Sequence, residues 1–401
     1  MTSVRNNHFQ ELPPEQELIA PFGVFRVRGG IAFGRCCEVY EGEDCVSGGP
    51  VALKVFRRHQ DYQGALQREL IFLRALATPD APVVQHLGEL EWQGRDILVQ
   101  ELLKFTARDI LLYHEDLPCS PWLVTTLAAH IMRGLIHLHD NGVVHADLKP
   151  PNIMWSAQVS GFKLIDFGVS FTTKEKFTHA VQSKGYQAPE SIYWNKKRTE
   201  ISSSDTPAVV RPGIPSDVWS AGCIVAEAIV GCQLFPSFCE TNVNKAVKAA
   251  LASSAANYSP QFLDGAYDFI TRCLQISPED RASPRELLSS PWLAQAYRPT
   301  FHDLSLLRTT VLRVLNVSDA HQLEGIPEGK VVENYFLQLC KKHGDVIDYH
   351  LEVSLGAFFV QYHQASDAEE AYYILSKTIF NDRTLIVTFF DLDLWQQREL
   401  Y

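Results

Sequence analysis

Two short runs in the middle of the chain carry side chains from which a phosphoryl-transfer site could be built. Residues 145–152 offer a carboxylate (Asp147), a cation (Lys149) and an amide (Asn152), and Asp166 follows 14 positions later, before Phe-Gly. Phosphoryl transfer depends mainly on positioning the attacking hydroxyl and neutralising phosphate charge, usually with Mg²⁺. These residue types predict that Asp147 orients a hydroxyl while Lys149 neutralises phosphate. Asn152 and Asp166 are the predicted metal ligands.

The elements expected to hold these runs change from strands to helices along the chain. The predicted strands are residues 24–27, 39–41, 51–56 and 97–100, and the predicted helices are residues 63–77, 122–140 and 217–231. The first 21 residues are polar and contain prolines, so they are expected to form a lead-in. Residues 199–215 are rich in Ser, Thr and Pro and are expected to form a solvated insertion.

The composition is that of a globular protein with more than one domain. The chain has 401 residues, of which 46% are hydrophobic and 21% are charged, and this length suggests two or three domains. No apolar run approaches the roughly 18 residues that cross a bilayer, and a secretory leader is not evident. Nine cysteines without a CxxC pair favour a reducing compartment. The net charge of −11 argues against a protein that coats nucleic acid.

A separate small domain is expected after residue 291. Its predicted elements are a strand (311–317), a helix (329–342), two strands (346–353 and 357–362), a helix (366–376) and a strand (385–390). This βαββαβ order is the ferredoxin-like arrangement of RNA-recognition motifs (RRMs). From Asp303 onward, which we call the tail, the chain carries 15 acidic and 8 basic residues. This balance of −7 favours basic partners.

RNA binding by such a tail would require aromatic residues on which bases stack. The stacking position of the first strand is occupied by Arg313, and one of the two positions in the third strand by Ala357. Only Phe359 is aromatic. Because two of the three aromatic residues are missing and the tail is acidic, direct RNA binding is disfavoured and protein binding is favoured.

Taken together, these strings resemble the protein kinases. A β-rich block followed by an α-rich block is the order of the two kinase lobes. Val51-Ala52-Leu53-Lys54 is similar to the kinase strand whose lysine holds the α- and β-phosphates, and Glu69 on the next helix is its expected partner. The resemblance implies a Ser/Thr protein kinase that uses ATP and Mg²⁺, with Asp147, Lys149, Lys54 and Glu69 as catalytic residues.

The glycine-rich loop expected of a kinase is the weakest of these matches. Its counterpart is residues 32–39, where only the middle glycine is retained, as Gly34. Cys37 replaces another glycine and restricts close approach of the backbone to phosphate, so looser nucleotide binding is expected. The resemblance implies nucleotide contacts at Ala32, Gly34, Val39, Ala52, Lys54, Glu101, Leu103 and Met154.

The kinase resemblance also implies a set of supporting residues downstream. Ala188-Pro189-Glu190 would close an activation segment, and Ser183 would place its hydroxyl near Asp147. Asp217 would brace the catalytic loop from a buried helix. Arg281 would pair with Glu190 in a structural ion pair.

One departure from the kinase pattern concerns regulation. The arginine that usually precedes the catalytic Asp is Ala146 here. That arginine normally receives a phosphorylated activation segment through charge-assisted hydrogen bonds. A phosphate on Thr172, Thr173 or Thr178 would therefore lack this receiver. Activity that does not depend on phosphorylation of the segment is expected.

A kinase followed by a degenerate RRM resembles the kinase-interacting-with-stathmin family, whose tail is a U2-auxiliary-factor homology motif (UHM). Supporting strings are residues 145–150, 152–156, 162–168 and 311–317. This family implies a nuclear, largely Ser-Pro-directed kinase, with the cytoplasm as a second compartment. Its tail binds Trp-containing basic peptides of splicing factors. The implied partner-binding residues are Phe380, Glu328 and Glu333.

Two positions depart from that family pattern. The tail loop reads Thr378-Ile379-Phe380, so it keeps the phenylalanine that would cover a ligand tryptophan but lacks the arginine two positions before it. Gln187 stands where proline-directed kinases carry an arginine, which leaves the Ser-Pro preference open.

The predicted fold class is α+β, with a two-lobed kinase fold followed by a ferredoxin-like, RRM-like domain. The predicted boundaries are a lead-in at 1–21, the kinase domain at 22–296 and the UHM at 305–401. The substrates expected are proteins with Ser or Thr acceptors, such as splicing or RNA-processing factors. A pseudokinase scaffold and an RNA-binding adaptor are the alternatives. Lys54, Glu69, Asp147, Asn152 and Asp166 argue against the first, and Arg313 and Ala357 against the second.

Overall fold

A computed structural model describes residues 11–34, 36–58, 60–113, 118–198, 211–236, 242–318, 326–381 and 383–401. The chain divides into two compact units. The smaller unit contains the chain up to Leu103 together with Asp166–Ser170, and the larger unit contains Lys104–Ile165 and Phe171–Tyr401.

The smaller unit is built on an antiparallel six-stranded sheet with the order β1-β2-β3-β4-β6-β5. Its strands are β1 (Glu17–Ala20), β2 (Gly23–Phe33), β3 (Cys37–Asp44), β4 (Pro50–Phe56), β5 (His86–Trp92) and β6 (Arg95–Glu101), and its helix is α1 (Gln60–Leu76). The four predicted strands are present as β2, β3, β4 and β6. β4 is buried at every position after its first, because the strand lies in the middle of the sheet.

The segment expected to be a lead-in contains a strand that the sequence analysis missed. β1 pairs with β2, and Leu12 and Leu18 are buried in the core of the sheet. Polar and proline residues surround these two leucines and obscure the alternating pattern. The ordered part of the unit therefore begins before residue 22.

The larger unit begins with a mainly helical part. Its helices are α2 (Ala107–Tyr113), α3 (Pro121–Asp140), α4 (Pro189–Lys197), α5 (Ile214–Val230), α6 (Val243–Ser253), α7 (Pro260–Cys273), α8 (Pro284–Leu288) and α9 (Phe301–Leu306). The short strands are β7 (Phe105–Thr106), β8 (Val143–Val144), β9 (Ile153–Ser156), β10 (Gly161–Leu164) and β11 (Phe171–Thr172). Of the insertion predicted at 199–215, residues 199–210 lie outside the described residues, and α5 already begins at Ile214.

Helices α3 and α5 form the core of this part and have clear end signals. Ser120 caps α3 by accepting from the Leu123 N–H, and Pro121 occupies the first turn. α5 ends at Gly231, whose φ of 77° is the left-handed conformation that glycine adopts easily. α5 is buried along most of its length, so any polar side chain on it needs a partner.

The tail forms an antiparallel four-stranded sheet with two helices between its strands. Its elements are β12 (Val311–Leu315), α10 (Ile326–Cys340), β13 (Val346–Glu352), β14 (Ala357–Tyr362), α11 (Ala365–Leu375), the short pair β15 (Ile379–Phe380) and β16 (Arg383–Thr384), β17 (Ile386–Phe390) and α12 (Leu392–Gln396). The sheet order is β13-β14-β12-β17. Helix α11 begins at Ala365, one residue before the start predicted at Ser366, and Gln364 is its N-cap residue. The final helix, α12, was not predicted.

The tail is attached to the helical part by several polar contacts within the larger unit. The Gln158 amide donates to the His363 carbonyl (2.8 Å) and accepts from the Ala365 N–H (3.1 Å), at the start of α11. Lys104 pairs with Glu369 of α11 at 2.9 Å. Arg308, which precedes β12, also pairs with Glu369. The tail therefore has a defined orientation relative to strands β9 and β10.

Candidate active site

The predicted lysine–glutamate pair is present in the smaller unit. Lys54 Nζ on β4 donates to both carboxylate oxygens of Glu69 on α1, at 2.6 and 2.7 Å. Both residues are buried. Burial alone would lower the pKa of Lys54, but the Asp166 and Glu69 carboxylates raise it above its ordinary value, so the ammonium stays charged. The pair fixes this cation on the face of β4.

Asp166 lies beside this lysine, with Oδ1 3.2 Å from Lys54 Nζ. Its backbone has a φ of 67°, in the left-handed region that non-glycine residues seldom occupy. Such strain is found at functional positions where the surroundings hold the backbone. The side chain is 45% exposed, so this carboxylate can bind a hard cation such as Mg²⁺.

Two of the other predicted nucleotide contacts in the smaller unit, Val39 and Ala52, lie near Lys54 on the sheet. Val39 is the cross-strand partner of Lys54, and Ala52 lies two residues before it on β4. Side chains at these positions share one face of the sheet. Leu103 is buried. Glu101 ends β6, and its carboxylate accepts from the Gln85 N–H at 2.7 Å.

The counterpart of the glycine-rich loop is a tight hairpin. β2 continues to Phe33, so Ala32 still pairs with Val39 in the ladder with β3. The Gly34 N–H donates to the Cys37 carbonyl at 2.9 Å, which closes the turn. A Cβ at Gly34 would lie 3.1 Å from that carbonyl oxygen. Gly34 therefore belongs to the turn itself, whereas Ala32 belongs to the strand.

Asp147, Lys149 and Ser183 form a hydrogen-bonded triangle in the larger unit. Lys149 Nζ donates to Asp147 Oδ2 at 2.7 Å and to Ser183 Oγ at 3.0 Å, and Ser183 Oγ donates to Asp147 Oδ1 at 2.7 Å. Asn152 Nδ2 donates to the Asp147 carbonyl at 2.9 Å, which leaves its amide oxygen available for a metal. Met154, the remaining predicted nucleotide contact, is half-buried on β9.

Asp217 holds the backbone before Asp147, as predicted. Its two carboxylate oxygens accept from the N–H groups of His145 (2.8 Å) and Ala146 (2.9 Å). His139 Nε2 lies 3.2 Å from the same carboxylate. Ala146 has a φ of 65°, and these bonds stabilise that strained backbone.

Gln182 was missed by the sequence analysis. It links the predicted activation segment, which ends at Glu190, to the loop that contains Ala146 and Asp147. Its N–H donates to the Ala146 carbonyl at 2.6 Å. Its side-chain amide donates to the Ser216 carbonyl and accepts from the Ala188 N–H. Gln182 itself has a φ of 58°. No sequence motif marks it, although it directly precedes Ser183.

The predicted pair of Arg281 and Glu190 is buried and bidentate. Arg281 Nη1 and Nη2 donate to the two Glu190 oxygens at 2.6 and 2.7 Å. The guanidinium also donates to the carbonyls of Pro215, Gln275 and Ile276 and lies over the Trp219 ring. The pair joins the end of the activation segment to the segment before α8.

In the tail, Phe380 is half-buried on β15. Its ring lies 4.7 Å from Tyr335 and 4.9 Å from Phe336 of α10, measured between centroids. Tyr335 is 44% exposed, so the rings of Tyr335 and Phe380 together form a partly exposed apolar surface. Glu333 is half-buried on α10. The side chain of Glu328 lies outside the described residues.

The face of the tail sheet on which an RRM would stack bases is covered by α12. Phe359 is fully buried, and Trp395 of α12 stacks on it with centroids 6.0 Å apart. Arg313 donates to Thr388 Oγ1 at 3.2 Å and lies over the Phe390 ring. The single aromatic residue left at the stacking positions is therefore inaccessible.

Membrane spans and clustered metal ligands are both absent from the described residues. Within the described ranges, no helix combines the length and apolar character needed to span a membrane. In the same part of the chain, no three His, Cys, Asp or Glu side chains form a metal cluster. Mg²⁺ is usually held by one or two protein ligands together with substrate phosphates, so it does not need such a cluster.

Comparison with known proteins agrees with this geometry. The protein kinase domain family matches residues 25–293. The human and mouse serine/threonine-protein kinases Kist are each 32% identical over 311 residues, covering 76% of this chain and 73% of theirs. A probable serine/threonine-protein kinase dyrk2 of Dictyostelium discoideum is 32% identical over 217 residues, covering 53% of this chain and 22% of its own. The chain belongs to the protein kinase family, as a Ser/Thr protein kinase of the Kist type.

Proposed function

We propose that the chain transfers the γ-phosphate of ATP to Ser or Thr hydroxyls of proteins. The observation that carries the proposal is the triangle of Asp147, Lys149 and Ser183. It places a carboxylate beside a cation, as phosphorylation of a substrate hydroxyl requires, and the Ser183 hydroxyl bonds to both. The domain limits proposed are 305–401 for the RRM-like domain of the tail and a kinase domain that ends at residue 296 and, in addition to the predicted 22–296, includes β1.

In the proposed mechanism each residue has one task. Bound Mg²⁺-ATP supplies the phosphoryl group and neutralises charge on its oxygens. Lys54, fixed by Glu69, would bind the α- and β-phosphates, while Asn152 and Asp166 would hold Mg²⁺. Asp147 accepts the hydrogen bond of the attacking hydroxyl and takes its proton as the new O–P bond forms, and the bond from the γ-phosphorus to the bridging oxygen breaks to release ADP. Lys149 stabilises the negative charge on the transferred group.

We further propose a preference for proline directly after the acceptor residue. The Gln182 carbonyl already accepts from Gln187 Nε2 at 3.0 Å. If that carbonyl faces the next substrate residue, a substrate N–H there would lose its acceptor, which costs about 1–3 kcal/mol when buried. Proline has no N–H and avoids this loss. Gln187 would thus perform the task of the arginine found in proline-directed kinases.

The preference can be measured with peptides that differ only at this position. The wild-type protein is expected to phosphorylate a Ser-Pro peptide about tenfold better in kcat/KM than its Ser-Ala partner, since 1.4 kcal/mol corresponds to a factor of ten. Gln187→Ala should reduce the ratio toward one, whereas Gln187→Arg, which keeps a donor, should retain it. Equal rates on both peptides with the wild type would contradict the proposal.

We propose that the tail is an RRM-like UHM that recruits partners through a Trp-containing basic peptide. The strand order β13-β14-β12-β17, with helices after the first and third strands in sequence, supports the fold. The exposed apolar surface around Phe380 supports stacking on a ligand aromatic ring. Glu333, Glu328 and the acid excess of the tail would attract flanking Arg or Lys. The covered face of Phe359 argues against the RNA-binding adaptor.

Phe380→Ala is expected to weaken binding of such a peptide by the full-length protein at least tenfold. An anchor residue that loses its ring can cost about 2 kcal/mol or more. Titration calorimetry measures this directly. Phe301→Ala, which removes an exposed phenylalanine from α9, is the matched control and should bind normally. The kinase activity of Phe380→Ala on a short peptide should be unchanged. If the wild-type protein does not bind the Trp-containing basic peptide, the proposed ligand class is wrong.

We also propose a nuclear location, with the cytoplasm as a second compartment, because the proposed ligand class occurs on splicing factors. Imaging of the tagged full-length protein tests this. Exclusion from the nucleus would contradict the proposal.

A further inference from the structure

Three aromatic side chains fasten the first part of the activation segment to α4. The rings of Phe171 and Phe177 are stacked with centroids 3.9 Å apart, and Phe177 lies 5.0 Å from Trp194 of α4. All three side chains are buried. Burial of three aromatic side chains removes a large apolar area from water, so this cluster holds the segment folded against α4.

Polar side chains of α4 fix the backbone that follows. Asn195 Oδ1 accepts from the Val181 N–H at 2.9 Å, and Asn195 Nδ2 donates to the Val181 carbonyl at 2.7 Å. Trp194 Nε1 donates to the His179 carbonyl at 3.0 Å. The Asn195 amide thus satisfies both the N–H and the carbonyl of Val181, as a residue on a neighbouring strand would.

This fixed stretch continues directly into the proposed catalytic residues. Val181 precedes Gln182, whose N–H reaches the Ala146 carbonyl, and Ser183, whose hydroxyl contacts Asp147. A displacement of Val181 would therefore be transmitted to Ser183 within two residues. The contacts that hold Val181 are all neutral.

We propose that the aromatic cluster and Asn195 replace a phosphate as the device that holds the activation segment in its active conformation. Phe177 and Asn195 are then positioning residues, which act through Val181 and Gln182 on the Ser183–Asp147 pair. This inference rests on the proposed kinase function. It explains how the segment can be held in place although Ala146 occupies the position of the phosphate-binding arginine. It requires no modification of the segment.

The first test uses full-length protein that has been treated with phosphatase. Asn195→Ala is expected to lower kcat/KM for a peptide substrate at least tenfold while KM for ATP stays within twofold. Phe177→Ala should do the same, and Phe177→Leu, which keeps apolar volume, should recover activity to within threefold of the wild type. Tyr193→Ala alters an exposed position on the same helix and should leave all constants unchanged.

The second test needs neither a variant nor activity. Hydrogen exchange of the phosphatase-treated wild type should show the Val181 and Gln182 amides exchanging at least 100-fold more slowly than an unstructured chain. This result is independent of whether the catalytic assignments are correct. Protection without activity would therefore count against the proposed function alone.

Three outcomes would overturn the inference. The first is unprotected Val181 and Gln182 amides in the dephosphorylated protein. The second is a loss of more than tenfold in wild-type activity after phosphatase treatment, which would mean that a phosphate, received for instance by Arg198 near the Thr178 carbonyl, holds the segment. The third is an Asn195→Ala protein that folds and keeps activity within twofold.

Discussion

Replacing Lys54 by Met, or Asp166 by Asn, is expected to reduce phosphate transfer by about 10²–10³-fold or more, the usual cost of removing one preorganised electrostatic contact to the reacting group. Lys54→Met removes the cation that Glu69 fixes on β4. Asp166→Asn removes the carboxylate proposed for Mg²⁺. Radioactive or mass-spectrometric assay of peptide phosphorylation at saturating Mg²⁺-ATP gives the rates.

The matched controls are Lys248→Met and Asp264→Asn, which make the same chemical changes at exposed positions. Both should keep wild-type activity. Asp166→Asn, at a partly exposed position, should unfold within a few degrees of the wild type. Lys54→Met leaves the Glu69 carboxylate buried without its partner and should unfold at a lower temperature, so its activity is measured where circular dichroism shows it folded. Activity of Lys54→Met within tenfold of the wild type would refute the assignment of this lysine, whereas no phosphate transfer by the wild type would support the pseudokinase alternative.

Replacing Arg281 by Leu is expected to destabilise the larger unit by about 3–5 kcal/mol, because it leaves the Glu190 carboxylate buried without its partner. The pair is almost fully buried, with the Arg281 side chain 0% exposed. The free energy of unfolding can be measured by denaturant titration. A loss below about 1 kcal/mol would mean that water reaches Glu190 in the variant.

Two further variants separate the burial of charge from the loss of a contact. Changing Arg281 and Glu190 together to leucines should recover much of the stability, since no unpaired charge remains. Arg285→Leu breaks an exposed pair with Asp140 and should cost less than about 1 kcal/mol.

The proposed catalytic residues could be predicted because their chemistry depends on residue type at fixed spacing. Asp147, Lys149 and Asn152 lie within six residues, so local sequence alone brings them together. To predict that Lys54 pairs with Glu69, it was enough to recognise a strand that is followed by a helix. The structure provides the close contacts that those predictions implied.

The residues that escaped prediction act through backbone groups of distant segments. Gln182 and Asn195 bind carbonyl and N–H groups, which every residue carries, so nothing in the sequence specifies their partners. β1 was missed because two leucines among polar residues do not reveal a strand until β2 lies beside them. Helix α12 is five residues long, too short for helical periodicity to be evident.

The attachment of the tail through Gln158, Lys104 and Arg308 has a consequence for which substrates can be reached. A peptide held by a freely linked tail could present an acceptor at almost any separation from its docking sequence. If the tail binds peptides as proposed, its attachment at several points fixes the distance between the docking surface around Phe380 and the proposed catalytic Asp147. An extended chain spans at most about 3.3–3.6 Å per residue, so acceptors too near the docking sequence are out of reach. Phosphorylation should be most efficient for acceptors whose linking segment is just long enough to span this distance. The effective concentration of an acceptor is highest when the linking segment matches the distance, and it falls as the segment becomes longer.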